Sequence, residues 1–243
     1  MQIIQVEGVP DRTLKTGIPG WVKKRDLLLL ASVAQMMPDN SIIAEAGCYQ
    51  GRSSYAISSN LNITCELHCI DIWSTDFEHF SVDAQVKQFN SNRTMGSKRN
   101  MDIAARKANR SGSWYDAWSH FTRSCENITP FKCLIEEYNV PYNLKAVFID
   151  GTHTYKEVLN DISQFNINPE VLLIGDDFCP SWPDVLRAVG SMKEETKRTL
   201  YCAPDSSIWF LWPQYGHWSD KLADFMARAE RDLAYINMSA GER

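Results

Sequence analysis

One segment near the start of the chain constrains the fold more than any other. Residues 42–54 begin as an apolar run and then pass through Gly47 and Gly51. This pattern predicts a buried strand that turns sharply into a helix, because glycine lets the backbone turn and approach a ligand closely. A second apolar run, residues 67–70, ends in Asp71. An acidic residue at this position holds ribose hydroxyls in α/β nucleotide folds, so the two segments together predict a cofactor site.

The spacing of the glycines differs from the dinucleotide fingerprint G-x-G-x-x-G, because Tyr49 occupies the place of the second glycine and would crowd a pyrophosphate. S-adenosylmethionine has no phosphate. With Glu45 before the turn and Ser53 after it, the stretch resembles the first motif of class I methyltransferases. The resemblance is strongest to a small-molecule branch that includes macrocin-type sugar O-methyltransferases and cephalosporin-hydroxylase-like proteins. The cofactor-binding residues that it implies for S-adenosylmethionine are Glu45, Gly47, Tyr49, Gly51, Ser53 and Asp71.

Later segments repeat the alternation of strand and helix. Apolar runs predict strands at residues 131–135, 146–149 and 171–174. Helical periodicity predicts helices at residues 21–37, 155–165, 184–197 and 218–236, the second with a capping box of Thr154 and Glu157. Residues 199–202 and 207–212 read as an antiparallel hairpin, a finish that the resemblance also implies. We therefore expect an α/β fold with a Rossmann-like, doubly wound, mostly parallel seven-stranded sheet whose last strand is reversed.

Three acidic residues follow the later strands: Asp150, Asp176 and Asp177. Ligands of open α/β sheets bind outside the carboxyl ends of the strands, so these side chains should converge beside the glycine turn. Clustered carboxylates repel one another unless a proton or cation intervenes, and a hard divalent ion such as Mg²⁺ would relieve that repulsion. The alternative is that Asp150 and Asp176 only cap turns and helices.

Residues 148–155 look like the Phe-Ile-Asp-Gly-x-His-x-Tyr signature of the same branch, and residues 175–178 are similar to its next motif. The resemblance implies that Asp150, Asp176 and Asp177 bind Mg²⁺, which in turn holds two substrate hydroxyls. Metal-dependent relatives often place an acidic catalytic base where this chain has Thr152. His153 is the substitute candidate, since a neutral imidazole can accept a hydroxyl proton near pH 7. Its alternative role is to bind backbone groups at the start of a helix. Asp150 and His153 are thus the expected catalytic residues.

Residues 73–128 interrupt the alternation of strand and helix. This stretch is rich in polar and aromatic residues, and between positions 87 and 110 it carries seven basic residues against one acid. We expect one domain over residues 1–243, in which residues 73–128 form an inserted lid or acceptor-binding segment with Trp114, Tyr115 and Trp118. The alternative is a solvated helix face or an oligomer contact.

Composition narrows the setting. The formal net charge of −5 argues against broad nucleic-acid binding. The chain has neither an apolar run of about 18 residues nor a signal segment, so a cytoplasmic protein without a membrane partner is expected. An odd number of cysteines without C-x-x-C spacing indicates buried free thiols. These cysteines are Cys48, Cys65, Cys69, Cys125, Cys133, Cys179 and Cys202.

These features favour transfer of a methyl group from S-adenosylmethionine to a hydroxyl of a small polar acceptor, such as a sugar or sugar-bearing metabolite, with assistance from Mg²⁺. A nucleic-acid methyltransferase, a non-catalytic binding protein on the same fold and a metal-dependent hydroxylase are the alternatives. Residues 150–153 lack the Pro-Pro-aromatic run that clamps a flipped base, which disfavours the first alternative. The third lacks a clear site of two histidines and one carboxylate. A homo-oligomer remains open.

Overall fold

The computed structural model describes residues 4–5, 13–14, 17–73 and 114–241. Seven strands form one mixed sheet, and β1 (Ile4–Gln5) and β2 (Thr13–Leu14) form a separate antiparallel pair. The strands of the main sheet are β3 (Ile42–Ala46), β4 (Glu66–Ile70), β5 (Ile128–Phe131), β6 (Leu144–Ile149), β7 (Leu172–Gly175), β8 (Thr199–Cys202) and β9 (Trp209–Trp212). Their order is β5-β4-β3-β6-β7-β9-β8. Strand β9 lies between β7 and β8 and is antiparallel to both. The predicted fold class is confirmed, including the reversed last strand.

The helices that accompany these strands are α1 (Lys24–Gln35), α2 (Arg52–Ser58), α3 (Trp114–Thr122), α4 (Tyr155–Phe165), α5 (Pro183–Thr196) and α6 (Leu222–Gly241). The bounds of α4 match the prediction. Helix α6 begins later than predicted, because the fully buried Trp218 lies in the preceding turn and its indole N–H donates to the Lys145 carbonyl (2.6 Å). In the described part of the chain, none of these helices combines the length and apolarity needed to cross a membrane.

Two local predictions were wrong. The strand expected at residues 131–135 is β5, which ends at Phe131, and residues Ile135–Glu137 form a 3₁₀ turn. Pro130 is accommodated because β5 is an edge strand that pairs only with β4. The capping box at α4 is absent, because the Thr154 hydroxyl donates to the Glu157 carboxylate (2.6 Å) and does not accept a backbone N–H of the helix.

Both faces of the sheet are buried, as a parallel sheet requires. Ile43 and Phe148 belong to a core on one face, which α1, α2, α3 and α6 cover. Ala44 and Val147 belong to a second core on the other face, which α4 and α5 cover. Because β3, β4, β6 and β7 are parallel, their carboxyl ends lie along one edge of the sheet. The predicted site residues are therefore collected at this edge.

Candidate active site

The glycine turn joins β3 to α2 and depends on its glycines for steric reasons. Gly47 has φ +91°, and a Cβ at this position would lie 2.2 Å from the carbonyl oxygen of Asp150. Gly51 has φ +86°, and a Cβ there would lie 2.8 Å from the Thr122 side chain. Residues 150–154, which follow β6, are called the β6 loop. Any larger side chain at Gly47 or Gly51 would force the glycine turn away from the β6 loop or from α3.

Asp71 fixes the turn from the end of β4. Its Oδ2 accepts the backbone N–H groups of Cys48 (2.8 Å) and Tyr49 (2.9 Å), and its Oδ1 accepts that of Trp73 (2.7 Å). Burial raises the pKa of Asp71, while these three N–H groups act to lower it. Tyr49 has φ +48°, a strained conformation that these hydrogen bonds help to hold. The acidic residue predicted to bind ribose thus also organises the glycine turn.

Glu45 lies beneath the turn and is fully buried. Its Oε2 accepts a hydrogen bond from the Ser54 hydroxyl, and Ser53 beside it is also buried. Burial raises the pKa of Glu45 to about 7, and hydrogen bonds from both serines oppose the increase. Glu45 therefore anchors the start of α2 from the interior.

Aromatic side chains cover the turn on the α3 side. The Tyr49 ring lies between Trp21 and Trp114, with centroid distances of 4.8 and 4.6 Å. Trp118 donates its indole N–H to Ser54 (3.2 Å), and Trp73 packs on Tyr115 and Trp118. Of the aromatic residues predicted in the insert, Trp114 thus contacts the glycine turn at Tyr49, Trp118 contacts Ser54 of α2, and Tyr115 packs on Trp73. Residues 74–113, which hold the basic stretch and most of the predicted lid, lie outside the described residues.

The ends of β6 and β7 bring together Asp150, His153 and Asp177. Their candidate ligand atoms all lie within 4.8 Å of one another. His153 Nε2 lies 2.6 Å from Asp177 Oδ2, and the imidazole stacks on Trp182 at 4.1 Å and 17°. Asp177 has φ +64°, which turns its side chain back toward the β6 loop. The Asp177–His153 pair is thereby fixed from two sides.

Asp176 is the one predicted metal ligand outside this group. Its Oδ1 accepts hydrogen bonds from the Ser207 hydroxyl and the Asp177 backbone N–H, both at 2.6 Å. The indole N–H of Trp209 donates to its carbonyl (3.1 Å). Burial, followed by repulsion from Asp177, raises the pKa of Asp176 to about 6. Asp176 is therefore placed to hold Asp177 and the β7 end in position.

The cluster crowds several carboxyl groups together. Burial raises the pKa of Asp150 well above its ordinary value, and Asp176, Asp177, Glu45 and Asp71 add to the increase by repulsion. A cavity of about 10 Å³, close to the volume that one water molecule needs, lies against this loop. Its walls comprise Ile149, Asp150, Gly151, Thr152, His153, Val158, Asp176, Asp177, Val185 and Trp209. No lysine or arginine is among these described residues, so the site favours a cation.

Two polar atoms of the β6 loop are buried without a hydrogen-bond partner among the described residues. They are Thr152 Oγ1 and His153 Nδ1. Buried polar atoms without a partner are costly and unusual in native proteins, so they mark groups that a ligand can satisfy. Motif reasoning identified His153, but it missed Trp182 and Ser207, whose roles depend on contacts between elements distant in sequence.

None of the seven cysteines forms a disulfide, as the sequence predicted, but the burial predicted for them holds for only three. Cys48, Cys65 and Cys69 are buried, whereas the other four are only partly buried. Burial raises the pKa of the thiols of Cys48 and Cys69, which lie beside Glu45. These two thiols pack as small apolar groups beneath the glycine turn.

Comparison with known proteins gives a family match and several distant structural likenesses. CalS11, a TDP-rhamnose 3′-O-methyltransferase of calicheamicin biosynthesis, is 14% identical with a TM-score of 0.47, over 78% of this chain and 81% of that chain. The O-methyltransferase NovP is 11% identical with a TM-score of 0.49, over 78% and 79%. A precorrin-6Y C5,15-methyltransferase from Geobacter metallireducens is 10% identical with a TM-score of 0.47, over 82% and 93%. No curated protein matches the sequence significantly.

Because these TM-scores lie below 0.5, the assignment rests on the sequence match and on the topology of the sheet. The family model described as a methyltransferase domain matches residues 44–178. This range is more than half of the chain and contains the glycine turn, Asp71 and the acidic cluster. The chain therefore belongs to the methyltransferase domain family.

Proposed function

We propose that the protein transfers the methyl group of S-adenosylmethionine to a hydroxyl of a small polar acceptor, with His153 as the base. The observation that carries the proposal is the Asp177–His153 pair at the carboxyl edge of a methyltransferase sheet. A sugar or a sugar-bearing metabolite is the acceptor class we favour, since its hydroxyl groups need a base of this kind. Residues 73–128, of which α3 is the described part, are proposed to contribute to the acceptor pocket.

The charge of the site supports S-adenosylmethionine over a dinucleotide. The cofactor carries a sulfonium, an ammonium and one carboxylate, so it is a net cation, whereas NAD carries an anionic pyrophosphate. A cation at this edge relieves the mutual repulsion that raises the pKa of Asp150, and an anion would add to that repulsion. We place the methionine end of the cofactor at Gly47–Gly51 and its ribose at Asp71. Oδ2 of Asp71 already accepts two hydrogen bonds from the turn, whereas Oδ1 accepts one and can accept another from a ribose hydroxyl.

The Asp177–His153 pair can remove the acceptor proton. If His153 Nε2 carries the hydrogen and donates it to Asp177, then Nδ1 is the unprotonated nitrogen. That atom is buried without a partner among the described residues, at the wall of the small cavity. Proton transfer to Nδ1 leaves an imidazolium that the Asp177 carboxylate stabilises. Stacking on Trp182 keeps the ring in a single orientation.

Methyl transfer requires little else from the chain. The sulfonium methyl is already electrophilic, so alignment of the acceptor oxygen with the methyl group and removal of the proton supply most of the catalysis. Glu45 and Asp71 hold the glycine turn that positions the cofactor, and Asp176 holds the backbone of Asp177. These three residues thus position the cofactor and the base.

A divalent cation is the alternative occupant of the same cluster, because an imidazole that binds an ion through Nε2 carries its hydrogen on Nδ1 and no longer acts as the base. Asp150, His153 and Asp177 are the residues that would hold it, because their ligand atoms lie within 4.8 Å of one another. This set replaces Asp176 of the predicted Mg²⁺ site by an imidazole. A bound ion would lower the pKa of an acceptor hydroxyl and orient it. Methyl-transfer turnover after removal of metal ions with EDTA tests whether the ion is required.

The proposal is tested by methyl-transfer assays with a panel of monosaccharides and nucleoside-diphosphate sugars, with S-adenosylhomocysteine as the measured product. His153→Asn should reduce kcat by about 10²–10⁴-fold, the usual contribution of a general base, while S-adenosylmethionine still binds. Glu195→Gln is the control, since Glu195 is exposed on α5 and lies outside both the acidic cluster and residues 73–128. Equal turnover by wild type and His153→Asn would exclude His153 as the base.

A further inference from the structure

A second acidic cleft lies behind the β6 loop, between the 3₁₀ turn and α4. It has a volume of about 400 Å³ and is lined by Ile135, Glu136, Asn160, Asp161, Ser163 and Gln164. We call it the Asp161 cleft. Its size falls in the range of small-molecule sites. None of these residues belongs to the proposed cofactor or catalytic set, so the cleft needs an account of its own.

Asp161 is the unusual member of this cleft. Its side chain is 9% exposed, and its Oδ2 has no hydrogen-bond partner among the described residues. Burial raises the pKa of Asp161 to about 7, and repulsion from Glu157 and Glu136 adds to the increase. The charged groups that act on Asp161 are thus both acids. A buried carboxyl group in such surroundings is costly unless it is protonated or meets a cation.

The volume and the lining of the Asp161 cleft indicate which kind of cation it can bind. The groups of metal-ligating atoms found in the described part of the chain do not include Asp161, so the carboxylates here are not arranged around one ion. The volume is far larger than a single ion needs. Amide and hydroxyl groups of Asn160, Ser163 and Gln164 offer hydrogen bonds, and Ile135 offers an apolar contact. These features match a polar organic molecule that carries a positive charge.

We propose that the Asp161 cleft binds a small organic ammonium ion, with Asp161 as the central counter-ion and Glu136 at the rim. The cleft lies next to Gly151, because the position that a Cβ would take at Gly151 is 3.4 Å from Asp161 Oδ2 and 3.7 Å from Ile135. This inference concerns a site separate from the Asp177–His153 pair and does not depend on methyl transfer.

Calorimetry with glucosamine and glucose tests the proposal, because the two sugars share a ring and differ in the ammonium group. Glucosamine should bind to the wild-type protein, and glucose should bind at least about tenfold more weakly, as expected for loss of a hydrogen bond to a charged group. Asp161→Asn should weaken glucosamine binding by the same factor. Glu195→Gln, an exposed acid on α5, is the matched control and should leave binding unchanged.

Two further variants separate this site from the catalytic one. Glu136→Gln should weaken glucosamine binding by roughly two- to fivefold, as expected for an exposed charge, and covers the case in which Asp161→Asn does not fold. His153→Asn should retain it. Equal binding of the two sugars, no binding of glucosamine to the wild type, or binding lost in His153→Asn but kept in Asp161→Asn would each overturn the proposal.

Discussion

Asp71→Asn tests the claim that Asp71 organises the glycine turn as well as binding ribose. Asparagine has nearly the same shape but only one acceptor oxygen and no charge. Asp71 accepts N–H groups from Cys48, Tyr49 and Trp73 at 2.7–2.9 Å. If the amide oxygen faces the turn, the amide NH₂ faces the Trp73 N–H, so one hydrogen bond is lost and two lose their charge assistance.

The magnitude follows from these three bonds. A hydrogen bond to a charged group contributes about 1.5–3 kcal/mol and a neutral one about 1 kcal/mol, so the gross loss is about 2.5–7 kcal/mol. Burial opposes the charge of Asp71, and removing that charge returns part of this cost. We therefore expect the free energy of unfolding to fall by about 1–3 kcal/mol.

Urea denaturation and calorimetry of S-adenosylmethionine binding measure the two effects separately. The matched control is Asp220→Asn, an exposed acid in the turn before α6, which should change neither quantity. We expect Asp71→Asn to lower both stability and affinity. Weakened binding with unchanged stability would show that Asp71 acts on ribose alone. Unchanged values of both would refute the role of Asp71 in the turn and in the cofactor site.

Three further predictions follow from the same structure. Gly47→Ala should destabilise the fold by about 1–3 kcal/mol and abolish cofactor binding, because φ is +91° and the new Cβ would meet Asp150. The control is Gly190→Ala, whose new Cβ would have no atom within 4 Å. Circular dichroism and calorimetry should show that this control folds and binds normally. Exhaustive EDTA treatment should abolish turnover and spare S-adenosylmethionine binding if the metal at Asp150, His153 and Asp177 is required; full activity would leave His153 as the unaided base. Burial raises the pKa of Asp161 in the folded state from 3.8 to about 7, so its contribution to stability is greatest below about pH 4 and is lost as the pH rises toward 7. Asp161→Asn should therefore flatten the dependence of the free energy of unfolding on pH over this range, as measured by urea denaturation. The same dependence on pH in the wild type and in Asp161→Asn would contradict the raised pKa.

The sequence predicted the elements whose signals are local. Residues 42–46 and 144–149 are apolar except for Glu45 and Lys145 because both faces of the sheet are buried, and the periodicity of α4 is regular over its whole length. The strand predicted at residues 131–135 failed, because a short edge strand has a weak apolar pattern. Pairing of β5 with β4, which the local pattern does not contain, fixes its position.

The candidate site was predicted in its residues but only partly in its arrangement. Gly47, Asp71, Asp150 and His153 stand in motifs, so their types and spacing indicated chemistry. The motif did not reveal that Asp176 would face Ser207, since that contact depends on how the β8–β9 hairpin packs beside β7. The stacking of Trp182 on His153 likewise joins the β6 loop to the start of α5.

The central claim is that this edge of the sheet binds a sulfonium cofactor, and calorimetric titration of the whole protein with S-adenosylmethionine and with NAD tests it most directly. We expect one molecule of S-adenosylmethionine to bind per chain, with affinity lost in Gly47→Ala and reduced in Asp71→Asn. NAD should give no binding heat, because the carboxylates of the site repel its pyrophosphate. Binding of NAD in place of S-adenosylmethionine would contradict the account.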